Sequence, residues 1–143
     1  MTDPYNLQRF VDAQSGVYER VRSELREGRK RSHWIWFIFP QVRGLGRSHM
    51  AETFGIASKD EAAAYLNHSV LGPRLRECTQ LVIEVEGRTL EAILGYPDNL
   101  KFRSSMTLFA QTAADNQLFI AALKKYCNGE LDPSTLERLN GFA

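Results

Sequence analysis

The sequence predicts an all-α fold: a single compact domain of about seven to eight short helices spanning residues 1–143. Three observations predict it. Apolar residues recur at helical spacing in most segments, and helix-capping residues precede these segments, with glycines following several of them. The connections are short, without repeats or low-complexity tracts. The length of 143 residues is that of one ordinary domain.

The N-terminal segment is predicted to form one amphipathic helix, or two helices separated near Ser15 and Gly16. Asp3 is a capping residue, and Pro4 suits the first helical position. The apolar stripe then continues as far as Gly28 and consists of Phe10, Val11, Val17, Val21 and Leu25. Charged residues dominate the opposite face, which is typical of the solvated side of an amphipathic helix.

Residues 34–39 are apolar on every side, so periodicity alone cannot separate a buried helix from a buried strand. Ser32 can cap a helix there, and Pro40 disfavours helical geometry at the preceding residue. We therefore predict a short buried helix. Residues 42–56 contain Gly44 and Gly46 without a sustained period, which predicts a structured loop followed by a short helix.

The remaining helices are predicted mainly from their caps. Ser58 and Glu61 fit a capping box that opens a helix through Leu66, and another helix begins near Pro73. Four later helices begin at capping residues, namely Thr89, Asp98, Asp115 and Asp132. The last of these caps is followed by a proline, as expected at a helix start.

Composition limits the classes of function. A net charge of +1 lacks the strong basic excess of a dedicated nucleic-acid binder, so nucleic acid is an unfavoured partner. No apolar stretch approaches the roughly 20 residues of a membrane span, and the polar N-terminus does not resemble a signal peptide. We expect a cytoplasmic protein without a cofactor. Cys78 and Cys127 form no CxxC pair, and the histidines lack metal-site spacing, so no metal is expected.

The most concentrated candidate site lies in residues 30–41, which contain both tryptophans of the chain directly behind a basic cluster. If Ser32 caps a helix, the free backbone N–H groups that follow it lie beside Lys30, an arrangement that can hold a phosphate or carboxylate. His33 is then the natural general acid or base. The alternative is a solvated turn in which His33 only satisfies a buried carbonyl group.

Three further features could contribute to a ligand site. Trp34 or Trp36 could stack on a ring, but about 200° separates them on a helix, so both cannot line one wall; core packing is the alternative. The glycine-containing turn before Arg47 and Ser48 could approach an anion, although it matches no nucleotide motif. Lys101 lies one turn before two serines, which serve either a ligand or helix packing.

The aromatic block resembles the signature of bacterial domain-of-unknown-function family 1810. The similar residues here are Lys30-Arg31-Ser32-His33-Trp34-Ile35-Trp36-Phe37-Ile38-Phe39-Pro40-Gln41 and Gly44-Leu45-Gly46-Arg47-Ser48. Further similar stretches lie at residues 10–14, 64–66, 71–75 and 101–109 and at Asp98. The resemblance covers nearly the whole chain and implies an all-helical cytoplasmic bacterial protein with no established activity. Some members carry the label calpastatin, but nothing in this chain supports protease inhibition.

The leading hypothesis is a site that binds, or acts on, a phosphorylated ring-containing small molecule. The candidate catalytic residue is His33, and the candidate ligand-binding residues are Lys30, Ser32, His33, Trp34, Trp36, Gln41, Arg47, Ser48, Lys101, Ser104 and Ser105. The alternative is an interaction module that binds an acidic protein or RNA without catalysis. Its basic helix face would consist of Arg20, Arg22, Arg26, Arg29 and Arg31.

Overall fold

The computed structural model describes residues 2–141, which contain ten helices. In chain order they are α1 (Gln8–Gln14), α2 (Tyr18–Glu27), α3 (Ile35–Ile38), α4 (His49–Thr53), α5 (Lys59–Asn67), α6 (Leu71–Glu84), α7 (Leu90–Leu94), α8 (Asp98–Thr112), α9 (Gln117–Cys127) and α10 (Pro133–Asn140). Seven of them have at least 7 residues. The predicted all-helical class is confirmed, and the predicted count is slightly low because helices of four or five residues carry little periodic signal.

The N-terminal segment forms two helices rather than one. Gly16 separates them with a φ of +80°, a left-handed conformation that glycine adopts without a steric penalty. The Asp3 carboxylate accepts hydrogen bonds from the backbone N–H groups of Leu7 (2.8 Å) and Gln8 (3.0 Å). Asp3 therefore stabilises the start of α1, but the regular helix begins several residues later than Pro4.

Helix α8 lies at the centre of the core. Eight of its 15 residues are buried, and it packs against α3, α5, α7, α9 and α10. The aromatic segment contacts it directly, since the rings of Phe39 and Phe102 meet edge to face at 4.9 Å between centroids. A helix that is apolar around most of its surface is buried in this way. Its first two turns remain accessible, and they carry the polar residues discussed below.

The loop between α3 and α4 is held by a single parallel bridge between Val42 and Ile56. The N–H of Arg43 donates to the Ile56 carbonyl at 2.8 Å, and the N–H of Ile56 donates to the Gln41 carbonyl at 2.9 Å. No sheet forms among residues 2–141. The bridge anchors the backbone of Gln41 beside the start of the loop and so fixes where its side chain can reach.

Three of the predicted caps are confirmed. The N–H of Glu61 donates to Ser58 at 3.0 Å, that of Ala92 to Thr89 at 3.1 Å, and that of Thr135 to Asp132 at 3.3 Å. These bonds join residues three apart, so a local pattern suffices to predict them.

Of the four caps predicted for the helices after α6, two are wrong. Asp98 is the first residue of α8 and caps nothing, because its carboxylate pairs with two lysines. The residue before α9 is Asn116 rather than Asp115, and the Asn116 side-chain amide donates to the Ala110 carbonyl at 2.8 Å. The helix predicted to start near Pro73 begins at Leu71.

Candidate functional site

The basic cluster before the aromatic segment encloses a carboxylate of the chain itself. Glu24, on α2, is 5% exposed and accepts four hydrogen bonds. The donors are the N–H groups of Arg31 (2.9 Å) and Ser32 (3.1 Å), the Ser32 hydroxyl (2.6 Å) and the Trp34 indole (2.9 Å). Burial alone raises the pKa of Glu24, but these donors outweigh it and lower the pKa to about 2.

The prediction that Ser32 caps the aromatic helix is therefore wrong. Helix α3 begins at Ile35, its N-cap is Trp34, and no side chain caps it. Ser32 instead binds the Glu24 carboxylate. The sequence analysis expects the backbone N–H groups that follow Ser32 to hold an anion, whereas the backbone donors observed are those of Arg31 and Ser32, and the anion that they bind is supplied by α2. These donors are consequently engaged within the protein.

A second carboxylate lies beside the same aromatic segment. Asp98 pairs with Lys30 at 2.8 Å and with Lys101 at 3.4 Å, so two ammonium groups share one carboxylate. The Lys30 side chain is only 7% exposed. Its Nζ lies 5.1 Å from the centroid of the Trp34 ring, and the Nζ of Lys101 lies 5.2 Å from that of Trp36. With both lysines charged, this Asp98 cluster carries one net positive charge.

The two tryptophans have different environments. Trp34 is 2% exposed and its indole is bonded to Glu24, so it belongs to the core. Trp36 is partly exposed and lies behind Lys101. Its indole nitrogen is buried and has no hydrogen-bond partner within residues 2–141. Of the two indoles, Trp36 is thus the one nearer to an accessible surface.

A cavity of about 250 Å³, called here the first cavity, opens between α8, the start of α10 and the loop after α3. It is lined by Gln41, Leu45, Gly46, Pro97, Leu100, Lys101, Ser104, Asp132 and Ser134. Three of the predicted ligand residues are among them, namely Gln41, Lys101 and Ser104. The fold thus brings together groups from opposite halves of the sequence.

The polar groups of the first cavity are not equally available. The Ser104 hydroxyl lies 2.8 Å from Asp132 Oδ2, and the same oxygen accepts from the Thr135 hydroxyl at 2.5 Å. Ser104 therefore holds the Asp132 carboxylate at the start of α10. In contrast, the side chains of Gln41 and Ser134 make no hydrogen bond within the described range. Lys101 adds an ammonium group whose contact with Asp98 is long, at 3.4 Å.

Other predicted residues lie away from this cavity. His33 and Arg47 are exposed, and Ser48 caps α4 by accepting from the N–H of Ala51 at 3.1 Å. None of these three lines the first cavity. Ser105 is fully buried in α8, and its hydroxyl has no partner in the part of the chain that the structure describes.

Sequence reasoning missed several residues of the first cavity. The missed residues are Pro97, Leu100, Asp132 and Ser134, while Leu45 and Gly46 belong to the glycine-containing turn that the sequence indicates. Asp132 carries a sequence signal, because it is a recognisable helix cap. That signal predicts a local hydrogen bond and does not show that the start of α10 packs beside α8.

The proposed basic helix face is interrupted by acidic residues. Arg22 pairs with Glu19 at 2.6 Å and with Glu77 at 3.3 Å. Arg31 pairs with Glu27 at 3.4 Å. The other arginines of that face are exposed: Arg20, Arg26 and Arg29. The surface therefore alternates in charge.

The described residues contain no group of three metal-ligating side chains. Cys78 and Cys127 are free, and burial raises the pKa of the Cys78 thiol to about 12, which keeps it protonated at neutral pH. Within residues 2–141, the helices lack the combination of length and apolar character needed to cross a bilayer.

The fold and the site define a class: an all-helical protein with a small polar cavity next to a lysine pair that shares one carboxylate. The family model described as "Protein of unknown function (DUF1810)" matches residues 4–139, and the chain belongs to this family. The resemblance of the aromatic block is thereby confirmed.

One solved structure is similar over nearly the full length. It is the crystal structure of the conserved hypothetical protein Rv1873 from Mycobacterium tuberculosis, with 56% sequence identity and a TM-score of 0.95. The match covers 96% of this chain and 99% of that chain. No curated protein matches the sequence.

Proposed function

We propose that the protein binds a small phosphorylated, ring-containing molecule in the first cavity. The observation that carries the proposal is that Gln41, Lys101 and Ser134 meet around one opening. The side chains of Gln41 and Ser134 make no hydrogen bond within residues 2–141, and Lys101 makes only the long contact with Asp98. An ammonium, an amide and a hydroxyl are donors that suit phosphate oxygens.

The charge of the neighbouring groups supports an anionic ligand. Lys30 is bound closely to Asp98, whereas Lys101 makes only the longer contact of 3.4 Å with the same carboxylate. A phosphate would therefore gain a cation whose existing partner is shared. Asp132 also lines the cavity, but hydroxyl donors and the N-terminal end of α10 offset its negative charge.

The size and the apolar wall of the cavity indicate how much of the ligand it holds. Ligand sites usually measure roughly 300–1,000 Å³. A cavity of about 250 Å³ accommodates a phosphate and part of one ring, with the rest of the molecule outside. Leu45, Pro97 and Leu100 provide an apolar surface against which the ring can pack.

Thermal-shift measurements with inorganic phosphate, ribose 5-phosphate and adenosine monophosphate test the proposal. A ligand present at about 100 times its Kd adds about 2.7 kcal/mol to the free energy of unfolding, which raises the Tm by about 10 °C for a chain of this size. We expect the two ring-containing phosphates to raise the Tm more than inorganic phosphate does.

A matched pair of variants locates the effect. Lys101→Gln is expected to abolish the shift, while Lys59→Gln, which changes an exposed lysine on α5, is expected to preserve it. Equal shifts in both variants would place the ligand elsewhere, and no shift with any of the three probes would refute the proposed ligand class.

The alternative of an interaction module with a basic helix face receives no support from the charge distribution. Two of its five arginines are paired with acidic side chains, as described above. No observation favours RNA or an acidic protein over the first cavity as the functional site.

A further inference from the structure

A second cavity of about 320 Å³ lies on the other side of Leu100 from the first. It is lined by Thr89, Leu90, Glu91, Asn99, Leu100, Arg103, Tyr126, Cys127, Asn128 and Glu130. The first two turns of α8 therefore form a ridge between two cavities, with Leu100 belonging to both. We propose that this second cavity and the ridge are a docking surface for a partner protein's segment that carries an arginine next to an apolar residue.

The apolar half of the surface is unusually exposed. Tyr96 is 72% exposed and Leu100 is 48% exposed, and these are the large hydrophobic side chains that stand out in solvent among residues 2–141. Tyr96 lies two residues before α8, and Leu100 lies in the first turn of that helix. Clusters of exposed apolar side chains beside a cavity commonly mark interaction sites, and tyrosine is enriched among the residues that dominate binding energy.

The charge of the second cavity selects a cation. Glu91 and Glu130 contribute two carboxylates, and Arg103 contributes one guanidinium. Arg103 is engaged with the backbone carbonyls of Glu130 (3.1 Å) and Leu131 (2.7 Å), and it lies 3.9 Å from the Glu130 carboxylate. The lining side chains therefore carry one net negative charge, and the Glu91 carboxylate has no hydrogen-bond partner in the described part of the chain.

An unsatisfied acceptor adds a geometric preference. Asn99 lines this cavity, and its Oδ1 atom, buried behind the cavity wall, has no hydrogen bond from any residue in the range 2–141. A guanidinium group has several N–H donors in one plane and can bond an amide oxygen and a carboxylate together. An ammonium group has fewer donors in a less fixed arrangement. Arginine therefore fits better than lysine.

The exposed ridge indicates a protein segment rather than a free guanidinium compound. A single guanidinium in the cavity would leave Tyr96 uncovered, since Tyr96 does not line the cavity. A neighbouring apolar side chain on the same partner covers Tyr96 and Leu100 while the arginine enters between Glu91 and Asn99. This surface is separate from Lys101 and Gln41, so it does not depend on the function proposed for the first cavity.

Nuclear magnetic resonance of the ¹⁵N-labelled full chain tests the surface with a defined probe, acetyl-Gly-Arg-Leu-Gly-amide. Titration extends to about 5 mM, because an isolated short segment is expected to bind with a Kd near 1 mM. We expect saturable changes in the amide signals of residues 89–91, 96–100 and 126–130. The same peptide with glutamate in place of arginine is expected to cause none.

Two variants and one control complete the test. Tyr96→Ser and Glu91→Gln are each expected to weaken peptide binding by about tenfold, while Glu137→Gln, on the exposed face of α10, is expected to leave it unchanged. The spectra themselves report whether each variant is folded. Absence of saturable changes, equal binding of arginine amide alone, or changes confined to the first cavity would each overturn the proposal.

Discussion

Glu24 and Asp98 are carboxylates on either side of the aromatic segment, and they differ in what surrounds them. Glu24 is enclosed by four donors that are all uncharged, and it is 5% exposed. Asp98 is 16% exposed at its side chain and is shared by two lysines. The first arrangement is complete and leaves nothing for a ligand. The second leaves one positive charge in excess, at Lys101, on the wall of a cavity.

The comparison teaches that a cluster of donors near a helix does not by itself identify a ligand site. The backbone N–H groups near Ser32 have the properties expected of an anion site, and they are already bound to an anion. The groups that remain available are those whose partner is shared or absent. On this criterion, Lys101 and Gln41 belong to the site proposed above, and Ser32 belongs to the scaffold.

The largest expected effect is loss of the enclosed carboxylate. Glu24→Ala leaves the Trp34 indole, the Ser32 hydroxyl and two backbone N–H groups without their acceptor, and we expect the free energy of unfolding to fall by about 4 kcal/mol. Urea denaturation at neutral pH measures this. Glu27→Ala, an exposed change on the same helix, is the control and is expected to cost at most about 0.5 kcal/mol.

The same contrast explains which features were predictable from sequence. Ser58, Thr89 and Asp132 bond to residues three positions away, so their roles follow from local patterns. Ser32 and Asp98 match the same patterns but have stronger partners from elsewhere in the fold. Local patterns carry no information on such distant partners, and for this reason the sequence predicts the helices well but misplaces the caps at Ser32 and Asp98.

The first cavity shows the same limit. Lys101 lies one turn before Ser104 in the same predicted helix, and Gln41 ends the aromatic block, which are signals that a single sequence contains. Pro97, Leu100 and Ser134 have no such signal, because their position depends on how α10 packs against α8. His33 has the most reactive side chain of the aromatic segment, but its chemical type says nothing about whether it faces a cavity.

Lowering the pH is expected to reduce the free energy of unfolding by a somewhat smaller amount than Glu24→Ala does. The pKa of Glu24 falls from the ordinary 4.5 to about 2 in the folded protein. Since the folded pKa is the lower one, the corresponding stability is present above pH 4.5 and is lost as the pH falls towards 2. That stability amounts to about 3 kcal/mol. We expect Glu24→Gln to flatten the decline in unfolding free energy over this window, and an unchanged decline would assign it to other carboxylates.

Breaking the shared pair is expected to have an intermediate effect. Asp98→Asn leaves Lys30 nearly buried without its carboxylate, and we expect a loss of about 2 kcal/mol, below the usual cost for a fully buried pair because Asp98 is partly exposed. Lys101→Gln removes the longer contact of a more exposed side chain and is expected to cost at most about 0.5 kcal/mol. Urea denaturation measures the loss of unfolding free energy in both variants. Equal losses would contradict the claim that Asp98 stabilises the protein mainly through Lys30.

The smallest expected effect is at His33. Its side chain is exposed and makes no hydrogen bond within residues 2–141, and it does not line the first cavity. We therefore expect His33→Ala to change the free energy of unfolding by at most about 0.5 kcal/mol and to preserve the thermal shift produced by a ring-containing phosphate. Measured beside Lys101→Gln, this variant distinguishes a ligand bound in the first cavity from a ligand bound at His33. Loss of the shift in His33→Ala with retention in Lys101→Gln would place the ligand at His33 rather than in the first cavity.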